Sequence, residues 1–355
     1  MLSLTSEQKI RLKRINIIKL LVFVGLLTVL GSVLFLINNL FISFLLAFVI
    51  SYLARPLIAP LERAGLSYNM ALIFIFLTGI SLIGLLGIWT FPLISQQVNN
   101  LQAEWPRYSE GLLNLIEAAE LKIKSWLGIE VHLQNKSKDQ ILYFSQVILK
   151  DLPSILLQAL SVMLLAPFLA FFMLKDSQKI SKRFMMLVPN SVFEMVLNLQ
   201  YQINQQLGQF IRARFLEAFI VGLVTFLGLT LISFPFAFLL GGFAAITNLI
   251  PYIGPIIGGV PAVIIALLNG YQAWDLSLVI GVYLIAQFID AGILVPILVA
   301  RIVNLHPVTV VLLIILGGQF MGILGMIISI PVANALKVTS LAVYEHITQF
   351  KNRTL

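Results

Sequence analysis

The chain has 355 residues, 59% of them hydrophobic and only 11% charged, against about 25% charged in a typical soluble domain. That composition excludes a soluble globular enzyme and points to an all-α polytopic integral membrane protein whose partner is the lipid bilayer. The net charge of +8 is then read as loop charge that sets orientation and not as a nucleic-acid surface, while the lack of cysteine excludes disulfides, thiol catalysis and zinc-thiolate sites.

Residues 1–14 carry Lys9, Arg11, Lys13 and Arg14 against Glu7 alone, which places them in the cytoplasm. A first span is expected at 15–37, and Asn38-Asn39 makes a turn. A second span begins at Leu40 and extends past Arg55-Pro56, the arginine reaching back to the surface. It is followed by an interfacial helix that Gly65 ends. A third span at about 68–91 stops near Pro92, so 1–94 holds spans one to three.

Residues 95–151 hold 13 charged side chains, six basic and seven acidic. Leu101, Trp105, Tyr108, Leu112, Leu115, Ala119, Ile123 and Trp126 recur at steps of three and four, the seam of an amphipathic helix. A regular helix is expected to start at Pro106, a first-turn position. The near balance of charge suits an extracytoplasmic segment. Its seam is either a subunit contact or a face packed on its own domain or on the membrane.

A fourth span is expected at 152–174. In 175–214 a cytoplasmic amphipathic segment follows. There and just beyond, Lys175, Lys179, Lys182, Arg183, Arg212 and Arg214 outnumber Asp176, Glu194 and Glu217. Glu217, beside Arg214, is read as an interfacial charge.

The interest lies in 215–340. From Ala218 to Trp274 run 57 residues without one Asp, Glu, Lys or Arg. As one helix they would measure roughly 85 Å, against a hydrocarbon core of about 30 Å. A fifth span at 215–234 is broken at Pro235. Two half-helices, 236–250 and 256–268, would each be about 20 Å long. They are read as a re-entrant hairpin with Pro251, Tyr252, Gly254 and Pro255 at its tip, since proline and glycine end helices there. In lipid, such a break is tolerated only inside protein or beside a wet cavity. A sixth span at 276–298 carries Asp290, and a second apolar run from His306 to Leu336 is broken around Gly317, Gly318, Gln319, Gly322 and Gly325. The expected architecture is therefore about six full spans plus two broken, re-entrant hairpins in an inverted repeat, with a cytoplasmic tail at 341–355.

Asp290 is the sharpest single signal, because a charge at the bilayer centre costs roughly 2.5–3.5 kcal/mol on insertion scales. It is read either as a proton or cation site or as a structural group paired with Arg301. That pairing would need a break such as Pro296, since Arg301 lies about three turns further on. Asn248, Gln287 and Gln319 are amides that could contact solute, or in the case of Asn248 and Gln319 cap broken helix ends. Gly317 and Gly318 serve either the pathway or close packing. The substrate or ion pathway is thus expected at Asn248, Pro251, Tyr252, Gly254, Pro255, Gln287, Asp290, Gly317, Gly318 and Gln319. No zinc motif, phosphate loop or nucleophile elbow is present, so neither metal nor cofactor is expected, and the chain does not read as an enzyme.

Asn248-Leu-Ile-Pro-Tyr-Ile-Gly-Pro255, Asp290 with Pro296, Leu305-His-Pro307, and Gly317-Gly318 through Gly322, Gly325 and Pro331 resemble the autoinducer-2 exporter, or PerM-like, family of bacterial membrane proteins. The similarity covers nearly the whole chain. It implies a multi-pass transporter of the bacterial inner membrane, a homo-oligomer, that moves a small solute, proton or sodium ion. Charge parity places both termini in the cytoplasm. Sodium/proton antiport and a non-transporting membrane scaffold stand as alternatives.

Overall fold

A computed structural model describes residues 40–127, 133–186, 192–251, 253–299 and 306–353, with isolated positions at 25, 32 and 188. The expected first span at 15–37 lies outside the described residues apart from Gly25 and Ser32. Among the described residues six helices are long and apolar enough to cross a membrane.

Helix α1, Leu40–Arg63, runs through Pro56 and Pro60 and ends where Gly65 takes φ +97°, a conformation that favours glycine. Its continuation past Arg55-Pro56 is as expected, and the stretch read as interfacial is its last two turns. Helix α2, Tyr68–Leu127, is 60 residues long, about 90 Å. It passes without a break through Pro92 and Pro106, so the expected stop near Pro92 and fresh start at Pro106 give way to one helix. Each proline removes one ladder bond, and packing of the far half of α2, at Leu101, Trp105 and Tyr108, holds the helix in line beyond Pro92.

Helix α3, Leu133–Gln146, leads through a π-helical turn, Val147–Asp151, into α4, Leu152–Met185. Ala47, Ala54 and Ile58 of α1, Ala71, Leu72 and Phe76 of α2 and Ala166, Ala170 and Leu174 of α4 form one buried cluster. Most other apolar side chains of α2 up to Phe91 face outward; Ile88 and Trp89 are 76% and 78% exposed, as suits a surface in lipid.

Helix α5, Phe193–Leu231, joins the expected amphipathic segment to the fifth span. The segment is therefore no separate interfacial helix. Leu199 and Phe210 on its apolar face are buried. The Tyr52 hydroxyl donates to Asn204 Oδ1 at 2.7 Å, and Asn334 Nδ2 donates to Gln206 Oε1 at 2.9 Å. Protein, not lipid, covers this face.

Helices α6, Ala237–Asn248, and α7, Gly254–Leu268, are the two short arms read from the sequence, about 18 and 22 Å long. Helix α8, Ala273–Ile289, continues as a π-helix, Asp290–Val299. Helix α9, Pro307–Arg353, is interrupted at Met321 and Gly322, the glycine at φ 60° and ψ −144°. Its arms fold back so closely that a Cβ on Gly317 would lie 2.3 Å from the Gly325 carbonyl oxygen. The two arms are unequal. Val308–Gly322 is short, whereas Gly325–Ala342 is long enough to cross and the helix continues past the expected end of the hairpin to Arg353.

The far half of α2 closes one end of this C-terminal unit. Leu101, Trp105 and Tyr108 pack against buried Phe234, Phe236, Ala266 and neighbours, Gln97 Oε1 accepts from the Leu239 N–H at 3.1 Å, and Asn269 Nδ2 donates to the Tyr108 hydroxyl at 3.4 Å. This part of the seam packs on its own chain. Leu115, Leu121 and Trp126 further along are exposed.

The α6–α7 turn supplies a direct check. A Cβ on Gly254 would lie 2.0 Å from the Thr247 carbonyl oxygen, whereas one on Gly242 meets nothing within 4 Å. Gly254→Ala should lower stability by about 1–3 kcal/mol, and Gly242→Ala should leave it equal or raise it by up to about 1 kcal/mol. Thermal unfolding of the detergent-solubilised protein measures both; equal melting points would refute the close approach.

Candidate functional site

Four helices converge beside the α6–α7 turn. Gly222 of α5 faces Gly241 and Ala245 of α6, and Gly228 of α5 faces Val282 of α8. Glu217 of α5 lies within electrostatic reach of Asp290 on α8. As α5 ascends from 217 to 228, its neighbours on α8 descend from 290 to 282, so the two helices are antiparallel. Helices α6 and α7 are antiparallel too, with Gly258 against Ala244 and Gly254 against Thr247.

This register buries a charged cluster. Arg214 Nη1 donates to Glu217 Oε2 at 2.7 Å, with the Glu217 side chain 0% exposed. The Arg214 guanidinium lies over the Phe210 ring, 5.7 Å from its centroid. Its charge also acts on Asp290. Asp290 is buried, and its Oδ1 accepts from Asn248 Nδ2 at 3.4 Å. Ionised, the cluster holds two carboxylates and one guanidinium among the described residues. Glu217 Oε1 and Arg214 Nε are buried without a hydrogen-bond partner. The arrangement can take up a proton or small cation, or accept hydrogen bonds from a solute.

Next to the cluster lies a cavity of about 410 Å³ between α5, α6, α7 and α8. Each helix that bears a cluster residue contributes to the lining within about two turns of it. Val221 and Thr225 follow Glu217, Ala244 precedes Asn248, and Tyr283 and Gln287 precede Asp290. The cavity and the cluster are therefore stacked along the helix axes.

The ten pathway residues expected from the sequence separate into groups. Asn248 and Asp290 meet in the cluster, and Pro255 and Gln287 line the cavity. Pro251 and Gly254 are buried in the turn. Tyr252 lies outside the described residues. Gly317 and Gly318 serve close packing of the α9 arms, since a Cβ on either would meet Gly325 or Met326. Gln319 is exposed and does not line the cavity. Arg301 also lies outside the described residues; among the described residues Arg214 is a cation whose charge acts on Asp290.

Arg214 and Glu217, expected as interfacial charges, belong to the candidate site instead, and Thr225 and Tyr283 join it without having been singled out in the sequence. A signal for them exists. Arg214 and Glu217 are spaced i,i+3, which puts opposite charges on one helix face. Glu217, Val221 and Thr225 step by four along that face, as Tyr283, Gln287 and Asp290 step by four and three on α8.

Comparison with known proteins agrees with this architecture. Residues 18–345 match the AI-2E family transporter description. The chain belongs to the AI-2E transporter family. It is 30% identical to YrrI of Bacillus subtilis (strain 168) over 85% of this chain and 86% of that one. It is 26% identical to PerM of Escherichia coli (strain K12), over 86% and 88%. It is 24% identical to the AI-2 transport protein TqsA of the same strain, over 91% and 92%. Membership in this AI-2E family makes the chain a multi-pass membrane protein of a bacterial transporter family, in line with the resemblance read from its motifs.

The buried pair gives a stability test. Breaking a buried ion pair by removing one partner costs about 3–5 kcal/mol, while replacing both with apolar groups of similar volume is close to neutral. Arg214→Met alone should therefore destabilise the AI-2E protein strongly, and Arg214→Met with Glu217→Met should recover at least half of the loss. Unfolding titrations in mixed micelles measure this; a double variant as unstable as the single one contradicts the pairing.

Proposed function

We propose that the protein is a secondary transporter that moves a small solute or ion across the bacterial inner membrane. The space between α5, α6, α7 and α8 is its pathway, and the Glu217–Asp290 region takes a coupling cation. The observation that carries this reading is the charge balance of the buried cluster among the described residues, two carboxylates against one guanidinium with one carboxylate oxygen unpartnered. An uncompensated buried charge costs several kcal/mol, so the cluster has a standing demand for a proton or a sodium ion.

Movement has a natural place in this reading. Ile250 and Ile253 at the α6–α7 turn share one apolar cluster with Phe210 of α5 and with Val310, Ile314, Met326, Ile327 and Ile330 of the two α9 arms. That contact is apolar and free of ion pairs, so the two broken hairpins can shift against each other without separating charges. Their re-entrance and their relation as an inverted repeat belong to the same proposal, supported by arms of 12 and 15 residues in the first and a short first arm in the second. The basic flanks of the apolar runs support cytoplasmic termini. A homo-oligomer is carried by the family resemblance. The relative TqsA is named as an AI-2 transport protein, which makes autoinducer-2 one candidate solute.

Flux into proteoliposomes under imposed proton and sodium gradients tests the proposal. Asp290→Asn should abolish dependence of flux on the driving gradient while the protein remains folded. Unchanged, gradient-driven flux would make Asp290 a structural group only. Sodium-driven proton movement without any solute flux would shift the reading to sodium/proton antiport.

A further inference from the structure

Helices α1 and α5 cross where the apolar part of each gives way to charge. On α1 the uncharged run 40–54 ends at Arg55, and on α5 the uncharged run begins at Ala218, just beyond Arg212, Arg214 and Glu217. Arg214 is buried with Glu217, whereas Arg212 is half-buried at the crossing. Pro56 has no N–H, so the carbonyl of Tyr52, four residues earlier, lacks its helical partner. Arg212 Nη1 donates to that carbonyl instead, at 3.3 Å. Room for the guanidinium comes from Gly208, where a Cβ would lie 3.0 Å from Arg212 Nη1 and 3.1 Å from the Tyr52 ring. The ring is fixed in turn by the Tyr52 hydroxyl, which donates to Asn204 Oδ1.

The crossing therefore holds an arginine head in place while most of its five N–H donors stay unengaged. Among the described residues no acidic side chain pairs with Arg212. Arg55 lies within electrostatic reach of the same tyrosine, is exposed, and has no acidic partner among the described residues either. Leu216 and Phe219 follow Arg212 at steps of four and three, on its own face of α5, and are 47% and 65% exposed. Tyr201, three turns before Arg212 on that face, is exposed as well. The face thus runs from apolar side chains, through two unneutralised guanidinium groups, to an aromatic with a polar tip, the order in which a membrane surface passes from hydrocarbon to headgroups.

We infer that the α1–α5 crossing is a binding site for an anionic phospholipid. Arg212 and Arg55 hold its phosphate, and an acyl chain lies along Leu216 and Phe219. The planar fork of arginine matches phosphate oxygens. A zwitterionic lipid brings an ammonium with its phosphate and leaves the two positive charges uncompensated, whereas an anionic lipid neutralises them. The lipid completes the contact between α1 and α5 and so seats the helix that bears Arg214 and Glu217.

The lack of cysteine permits a single bimane label at Leu216→Cys, beside the proposed acyl chain, or at Leu231→Cys, 86% exposed at the opposite end of the same helix. The labelled protein is placed in phosphatidylcholine vesicles that contain rising fractions of acyl-brominated phosphatidylglycerol or acyl-brominated phosphatidylcholine, whose bromines quench bimane on contact. Half-quenching at position 216 should need at least about fivefold less of the brominated phosphatidylglycerol than of the brominated phosphatidylcholine. At position 231 the two lipids should quench alike. Arg55→Gln and Arg212→Gln should each raise the half-quenching fraction of phosphatidylglycerol at 216 about fivefold. Arg212→Gln also strips the Tyr52 carbonyl of its donor, so Arg55→Gln decides the matter where the Arg212 variant fails to fold.

Equal quenching by the two lipids at 216, the same preference at 231, or a preference unchanged by Arg55→Gln would overturn the inference. Inorganic phosphate should alter the preference no more than sodium chloride of equal ionic strength does. Its selective loss in phosphate would assign the arginines to a free anion and overturn the lipid as occupant.

Discussion

Backbone polar groups released where a membrane helix stops have to be satisfied inside the protein, and this constraint shapes the C-terminal unit. After α6 the chain turns within five residues. The Leu249 and Ile250 N–H groups bond to the Ile246 and Thr247 carbonyls, Ile253 N bonds to Pro251 O at 2.7 Å, and Gly254 N bonds to Ile250 O at 3.0 Å. The turn closes on itself only because α7 starts against the backbone of Thr247. Any side chain at 254 would occupy that carbonyl's space. With the backbone closed in this way, the Asn248 side chain is not required as a cap, and its amide is free to reach Asp290.

The charged cluster follows from that placement. Asn248 stands at the end of α6, Asp290 at the end of the α-helical part of α8, and Glu217 one turn below the first cavity residue of α5. The antiparallel course of α5 and α8 brings the two acids to one level. A buried acid pair with a single arginine would be a poor way to stabilise a fold, since ion pairs in low dielectric return little beyond their desolvation cost. Its presence beside a cavity fits the proposed site, whose charge would change during a cycle.

Much of this was legible in the sequence, because the signals were local. Pro251, Gly254 and Pro255 marked the turn, the uncharged run of 57 residues required a reversal, and Asp290 stood out against its apolar neighbours. What escaped was long-range or depended on register. Pro92 and Pro106 look like helix ends until the packing of the far half of α2 on Phe234 and Phe236 is known. Arg214 and Glu217 looked like ordinary boundary charges, since nothing local says that α5 continues upstream as one helix and buries them. Gln319 resembled a site residue because it follows two glycines, but those glycines serve the contact with Gly325 and Met326 and leave the amide on the outside.

The π-helical stretch after Asp290 links these observations. Pro296 has no N–H, and in an α-helix its ring would press on the carbonyl of residue 292. A widened ladder, with bonds to the fifth residue, accommodates it. The change begins at Asp290 itself, so Tyr283 and Gln287 lie on the α-helical part of α8 and Asp290 stands at its junction with the widened ladder. In the proposed cycle a shift of the α9 arms against the α6–α7 turn would be taken up in the widened ladder beyond Asp290 while the α-helical part of α8 stays in place. Asp290 thus stands where the regular and widened ladders meet and next to the cavity residue Gln287, a placement that under the proposed cycle would couple its charge to occupancy of the cavity.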